Sequence, residues 1–139
     1  VQNGAGKDGD FAVFGSSILL SRMEDMLLLR AEALAVLNRV DDAVEQLNLL
    51  RVKRGLSQVS FKKNFGEDVN KLIDNIFAER RRELIGEGHR WYDLIRRQRI
   101  LQDDPDFLAR MENGGIYWPV SEEVIRQNNL IRQNEYWNN

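Results

Sequence analysis

The chain of 139 residues contains no cysteine and only one histidine, His89. The absence of cysteine excludes disulfide bonds, thiol nucleophiles, iron–sulfur clusters and cysteine-ligated zinc. A metal site built on imidazole needs more than one such ligand, and the HExxH spacing does not occur. A serine–histidine–aspartate triad lacks the nucleophile-elbow pattern. The sequence therefore predicts no catalytic residue, no metal site and no cofactor.

The net charge is also small, prolines are few and the apolar runs are short. Twenty Lys and Arg residues nearly balance 22 Asp and Glu residues, which gives a net charge of −2. A general nucleic-acid binder would show a clear basic excess, so we expect no nucleic-acid partner. Apolar runs such as residues 33–37 are far too short to span a bilayer. The two prolines are Pro105 and Pro119, so no proline ring interrupts a helix before residue 105.

Helical periodicity fills most of the chain, whereas no clear alternating strand pattern occurs. A first helix pair is predicted over residues 21–55, with Ser21 as its N-cap and Gly55 as the left-handed residue after its end. Such a pair has about the tetratricopeptide period of 34 residues. Ala31 and Ala43 are small residues where the paired helices can approach closely.

A second helix pair is predicted over residues 67–102. The glycine-rich residues 1–20 predict a loop, and residues 105–139 predict a capping segment with a short helix that begins at Ser121. Two pairs are fewer than the three that such stacks usually need, so the flanking segments cap the stack or another domain adjoins it. The predicted fold is all-α, with tetratricopeptide-like stacked helical hairpins and an irregular C-terminal segment.

Apolar residues on one face of each predicted helix indicate the core. The predicted inward faces include Leu37 at the end of the first helix, Leu49 in the second and Ile85 at the end of the third. We also expect Trp91 to be buried, because it lies on a helical apolar stripe.

The densest polar cluster lies between residues 79 and 93. We predict a partly buried lattice of ion pairs that locks the second helix pair, because the planar guanidinium pairs bidentately with carboxylates. Its predicted members are Arg80, Glu83, Glu87, Arg90 and Asp93. The alternative is a carboxylate pair for acid–base chemistry or a di-metal site, which the single histidine does not support.

The same region carries a local excess of positive charge. Residues 79–99 contain seven arginines against three glutamates and one aspartate. Such a face could contact phosphates, but the interleaved acidic residues favour a solvated or salt-bridged surface.

Large aromatic side chains are concentrated near the C-terminus. Trp118, Tyr136 and Trp137 are candidates for stacking on the apolar faces of sugars. The alternative, which we favour, is that these rings anchor the irregular segment onto the helices, because aromatic rings dominate core burial.

Three stretches together resemble the motifs of the SusD/RagB family, in the order in which the family has them. They are LLLRAEAL at 27–34, ERRRELIGEGHRWYDLIRR at 79–97 and YWPVSEE at 117–123. The middle stretch is the longest and most specific. The tail departs from the family pattern, because residues 127–130 lack its Asn-Pro-x-Leu and residues 133–136 lack its Pro-Gly.

The resemblance implies an outer-membrane lipoprotein at the cell surface of a Bacteroidetes-type bacterium. Such proteins bind glycans or other nutrients, are not enzymes, and form lids on SusC-like TonB-dependent transporters. Members are several times longer, so this chain would be a C-terminal part whose lipid anchor lies outside it. No ligand-binding residue is transferred. Glu83, Glu87, Arg90 and Asp93 match the family motif, which supports a structural role for the lattice.

A second functional hypothesis belongs to a different class. A cytosolic tetratricopeptide-type adaptor would hold a partner peptide in a helical groove. Its support is the small pair Ala31 and Ala43 in the first helix pair.

Overall fold

The computed structural model describes residues 21–138, which form seven α-helices and a short 3-10 helix over Glu135–Trp137. The α-helices are α1 (Met23–Val36), α2 (Val40–Lys53), α3 (Phe61–Phe65), α4 (Val69–Glu83), α5 (Arg90–Leu101), α6 (Pro105–Glu112) and α7 (Glu122–Gln127). Residues 21–138 contain no strand, and the all-α prediction is confirmed. The loop predicted for residues 1–20 lies outside the described residues. In the described part, no helix has both the length and the apolar character needed to cross a bilayer.

The central element is α1, which packs against α2 on one side and α4 on another. Ala31 and Ala43 are fully buried between the first two helices, so their small side chains allow the close approach that the sequence predicts. The α1–α2 turn contains Asn38 at φ 58°, a left-handed conformation that asparagine tolerates. Gly55 follows α2 at φ 70°, which confirms its predicted left-handed position.

Helices α3 to α6 extend the α1–α2 hairpin in sequence order. Helix α3 contacts α2 and α4, α4 contacts α5, and α5 contacts α6. The core lies between α1, α2 and α4, and its fully buried large side chains include Leu28, Leu47, Leu72, Ile76 and Phe77.

The start of α1 corrects the prediction from sequence. The N-cap is Arg22, which makes no side-chain capping bond, and Ser21 lies before it. The guanidinium of Arg22 instead pairs with Glu83 and Glu87 after the end of α4. This tertiary contact sets the helix start and overrides the local capping signal. At α7 the local signal holds, because Ser121 accepts a hydrogen bond from the backbone N–H of Val124.

Two short helices are missing from the sequence prediction. Helix α3 begins after Ser60, whose side chain accepts from the backbone N–H of Lys63, and α6 begins after Asp104, whose side chain accepts from that of Phe107. Pro105 occupies the first turn of α6, a position that proline favours. Helices of five and eight residues are too short to show an apolar periodicity, so the sequence pattern does not predict them.

Three residues predicted to face the core are exposed. Leu37 is 70% exposed because it lies in the turn after α1, and Ile85 is 82% exposed because α4 has already ended at Glu83. Leu49 is 45% exposed on the outer side of α2.

We expect Ala31→Leu to destabilise the protein by about 1–3 kcal/mol, because the added atoms have no space between α1 and α2. The matched control is Ala33→Leu on the exposed side of the same helix, which should change stability by less than about 0.5 kcal/mol. Urea unfolding followed by circular dichroism measures both. Equal effects of the two substitutions would contradict the close approach.

Candidate functional site

Arg80 on α4 is the largest fully buried side chain among the described residues. Its Nη1 donates to Oδ1 of Asp25 on α1 at 2.8 Å, and its Nε donates to Oδ2 of Asp93 on α5 at 3.0 Å. Both carboxylates are themselves buried. One guanidinium therefore connects three helices at their common junction.

The second carboxylate oxygen of Asp93 contacts another arginine. Its Oδ1 accepts from Nη2 of Arg96 at 2.9 Å. Arg96 also forms a two-pronged contact with Glu32 of α1, at 2.5 Å from Nε and 2.9 Å from Nη2. We name the alternating set Asp25, Arg80, Asp93, Arg96 and Glu32 the arginine network. It begins and ends on α1.

A second group of charges lies at the nearby end of α4. Glu83 accepts from Nη2 of Arg54 at 2.6 Å and from Nη1 of Arg22 at 3.0 Å, and Arg22 also pairs with Glu87 at 2.7 Å. Hydrogen bonding from Arg54 is the main reason that the pKa of Glu83 lies below its usual range; burial opposes this effect and Arg22 adds to it. We name Arg22, Arg54, Glu83 and Glu87 the rim cluster.

The structure divides the predicted lattice between these two groups. Arg80 and Asp93 belong to the arginine network, whereas Glu83 and Glu87 belong to the rim cluster. Arg90 corrects the prediction: it is exposed and forms no ion pair within residues 21–138. The reason is the chain path, because α4 ends at Glu83 and α5 begins only at Arg90, so the helical spacing does not extend across this gap.

Sequence reasoning missed the partners on α1 and α2. Asp25 and Glu32 are seven residues apart and lie on the same face of α1 as Leu28 and Ala35, which are buried. Acidic residues on an apolar stripe at this spacing were an available signal for buried ion pairs. A further missed pair joins Arg51 of α2 to Glu79 of α4.

The arrangement of these carboxylates favours a structural role, in which they hold the helices together. Each carboxylate of the arginine network accepts hydrogen bonds from arginine, and burial of unpaired charges would be costly. In the described part, no three acidic or histidine side chains are arranged to hold a metal ion. His89 precedes α5 and makes no side-chain capping bond.

The aromatic candidates form two separate groups. The ring of Trp118 is 83% exposed and lies 6.2 Å from that of Trp91, which is only partly buried and so corrects the expectation of full burial. Tyr136 and Trp137 contact each other edge to face at 4.9 Å, and Nε1 of Trp137 donates to the carbonyl of Tyr117 at 2.8 Å.

Polar side chains also fasten the irregular tail. Gln133 bonds both the N–H and the carbonyl of Val120, at 3.1 and 2.8 Å. Asn134 donates to the carbonyl of Gly114 at 3.0 Å. The tail is therefore attached to the segment after α6 by hydrogen bonds between its side chains and backbone groups of that segment.

Comparisons of the sequence and of the structure with known proteins all find members of one family. A profile of the SusD family matches residues 13–110. A SusD-like protein of Formosa agariphila is 35% identical over an alignment of 127 residues, and the match covers 86% of this chain and 24% of that protein. The crystal structure of a SusD superfamily protein from Bacteroides thetaiotaomicron matches with a TM-score of 0.80 and 59% identity, over 90% of this chain and 27% of that one. The chain spans about a quarter of the length of these relatives.

We expect Arg80→Ala to destabilise the protein by about 3–5 kcal/mol, because it leaves two buried carboxylates without their shared cation. The matched control is Arg81→Ala at the neighbouring exposed position, with an expected effect below about 0.5 kcal/mol. Urea unfolding measures the difference. A loss below about 1 kcal/mol for Arg80→Ala would place the pair among surface ion pairs.

We expect Arg54→Gln to raise the pKa of Glu83 toward its ordinary value, because Arg54 is the main cause of its depression. Carbon-13 NMR titration of the glutamate carboxyl groups measures this. A depressed folded-state pKa contributes stability that is present above the unfolded pKa and is lost as the pH falls through the folded pKa. Arg54→Gln should therefore reduce this acid-dependent loss. Arg39→Gln, which removes a distant pair with Asp42, should leave the Glu83 titration unchanged, and an unchanged titration in Arg54→Gln would contradict the assignment.

Proposed function

The chain belongs to the SusD family, and from this premise we propose that it is the C-terminal helical scaffold of a cell-surface nutrient-binding protein. The observation that carries the proposal is the position of the family motif in the fold. The stretch 79–97 supplies Arg80, Asp93 and Arg96, which are the three residues of the arginine network outside α1. The motif that supports the family relationship therefore also joins the helices.

The mechanism we propose is mechanical support. Buried ion pairs fix α1, α4 and α5 relative to one another, which gives the parent protein a rigid surface that carries ligand-binding loops. A rigid scaffold preserves the preorganisation of such loops and lowers the entropic cost of binding. In this proposal the carboxylates hold the fold together and carry out no reaction, so the protein is not an enzyme.

The ligand we propose is an oligosaccharide or another nutrient, delivered to a SusC-like TonB-dependent transporter. The parent protein would be held at the outer membrane by a lipid anchor outside this chain. Of the three aromatic candidates, Trp118 is the best placed for stacking on a sugar, because its ring is exposed and supported by Trp91. Tyr136 and Trp137 remain weaker candidates, since they are engaged with each other and with the Tyr117 carbonyl.

The adaptor hypothesis remains the alternative. Ala31 and Ala43 are fully buried in the packing between α1 and α2, which is equally compatible with a scaffold and with a tetratricopeptide-type adaptor. The experiment below separates the two.

The test uses the full-length protein, tagged and purified from its own bacterium. We expect it in the detergent-solubilised outer membrane together with a TonB-dependent transporter, and we expect it to bind defined saccharides on a glycan array. Trp118→Ala should weaken that binding, whereas Tyr92→Ala, at a comparably exposed aromatic residue, should not. A protein found in the cytosolic fraction with a stably bound peptide would favour the adaptor and refute the proposal.

A further inference from the structure

The arginines between residues 79 and 99 are not all neutralised. Four of the seven form ion pairs with acidic side chains: Arg80, Arg82, Arg96 and Arg97. The other three, Arg81, Arg90 and Arg99, form no ion pair with any residue from 21 to 138. The local excess of positive charge in the sequence is therefore concentrated on a few side chains.

Two of these arginines line the same surface cavity, which runs along α4 and α5 and has a volume of about 430 Å³. Arg81 comes from α4 and Arg90 from the first residue of α5. Arg82 and Arg97 also line it, and Asp74 is the only carboxylate among the lining residues. The buried ring of Phe77 contributes an apolar part of the wall.

The carboxylate in this cavity is already engaged. Asp74 accepts from Nε of Arg97 at 2.7 Å, and Arg97 also forms a two-pronged contact with Asp103 at 3.0 and 2.7 Å. Arg82 pairs with Glu79 at 3.2 Å. Arg81 and Arg90 are therefore the lining cations whose charge no described carboxylate balances.

A second cavity of about 430 Å³ adjoins the first and shares Asp74, Ala78 and Arg97 with it. Three amide side chains line this second cavity, Asn64, Asn70 and Asn75. Its further charged residues are Lys71 and Asp103, and the Asp103 carboxylate is paired with Arg97. Oδ1 of Asn75 is buried and has no hydrogen-bond partner within the described residues. Amide groups both donate and accept hydrogen bonds, which suits hydroxyl groups. We name the two cavities together the basic groove, with an amide end and an arginine end.

We propose that the basic groove binds an acidic oligosaccharide, with an anionic group at Arg81 and Arg90 and hydroxyl groups at the asparagine amides. The inference rests on the proposed function and narrows its substrate class. The guanidinium fork matches the planar geometry of a carboxylate, and its charge attracts a sulfate ester as well. An acidic sugar satisfies both ends of the groove, whereas a neutral sugar leaves the arginine end unbalanced.

The experiment measures binding of saccharides to the full-length protein by isothermal titration calorimetry. The probes are trigalacturonate, a sulfated carrageenan oligosaccharide and neutral maltotriose, with inorganic sulfate as a simple anion. We expect at least one acidic saccharide to bind more tightly than maltotriose and than sulfate, with an affinity that falls as salt is added. The carboxylated and sulfated probes distinguish the two sources of the anionic group.

The double variant Arg81→Gln with Arg90→Gln should weaken acidic-saccharide binding by about tenfold or more, because each lost charge-assisted hydrogen bond contributes on that order. The matched control is Arg99→Gln, an exposed α5 arginine outside the groove, which should leave affinity unchanged. Thermal unfolding checks that all variants fold.

Three results would overturn the inference. Unchanged affinity in the folded double variant would show that the acidic saccharide binds elsewhere. Binding of maltotriose without binding of either acidic saccharide would refute the basic groove but leave the proposed function intact. Failure of every saccharide to bind would count against both.

Discussion

The burial of the Arg80 guanidinium between Asp25 and Asp93 is the interaction on which the rest of the structure depends. Removing a guanidinium from water is costly, and the cost is offset only when its donors meet carboxylates in good geometry. That geometry exists only when α1, α4 and α5 are docked together. A partly assembled chain would leave these charges either hydrated or unbalanced, so the apolar core and the ion pairs favour the same arrangement.

This arrangement explains why charge and packing coincide in one short stretch. Residues 79–97 contain the end of α4, the glycine-containing link and most of α5. Gly86 and Gly88 both have φ of 80°, a region that glycine enters without strain. The link lets α5 turn back so that Asp93 and Arg96 reach the face of α4 that carries Arg80. The surface of the same stretch then presents the arginines left outside these pairs.

The sequence predicts the local features of this fold better than its long-range pairings. The positions of α1, α2, α4 and α5 follow from apolar periodicity, and Gly55 and Ser121 follow from capping chemistry. The ends of helices move where distant contacts intervene, as at Arg22. The partners of the arginines lie 55 and 64 residues away, in Asp25 and Glu32, and local spacing carries no information about which helices face each other. The aromatic candidates likewise separate because the tail path depends on side-chain bonds to distant backbone groups.

The attachment of the arginine network to α1 at two points has a consequence for motion. Asp25 and Glu32 pair with Arg80 and Arg96 respectively, so α1 is held about one turn before and one turn after the buried Leu28. Sliding α1 by one residue would shift it by about 1.5 Å and rotate it by about 100°, which would break both grips at once. Small register shifts are therefore blocked, and α1, α4 and α5 should open together as a single cooperative unit in native-state hydrogen exchange.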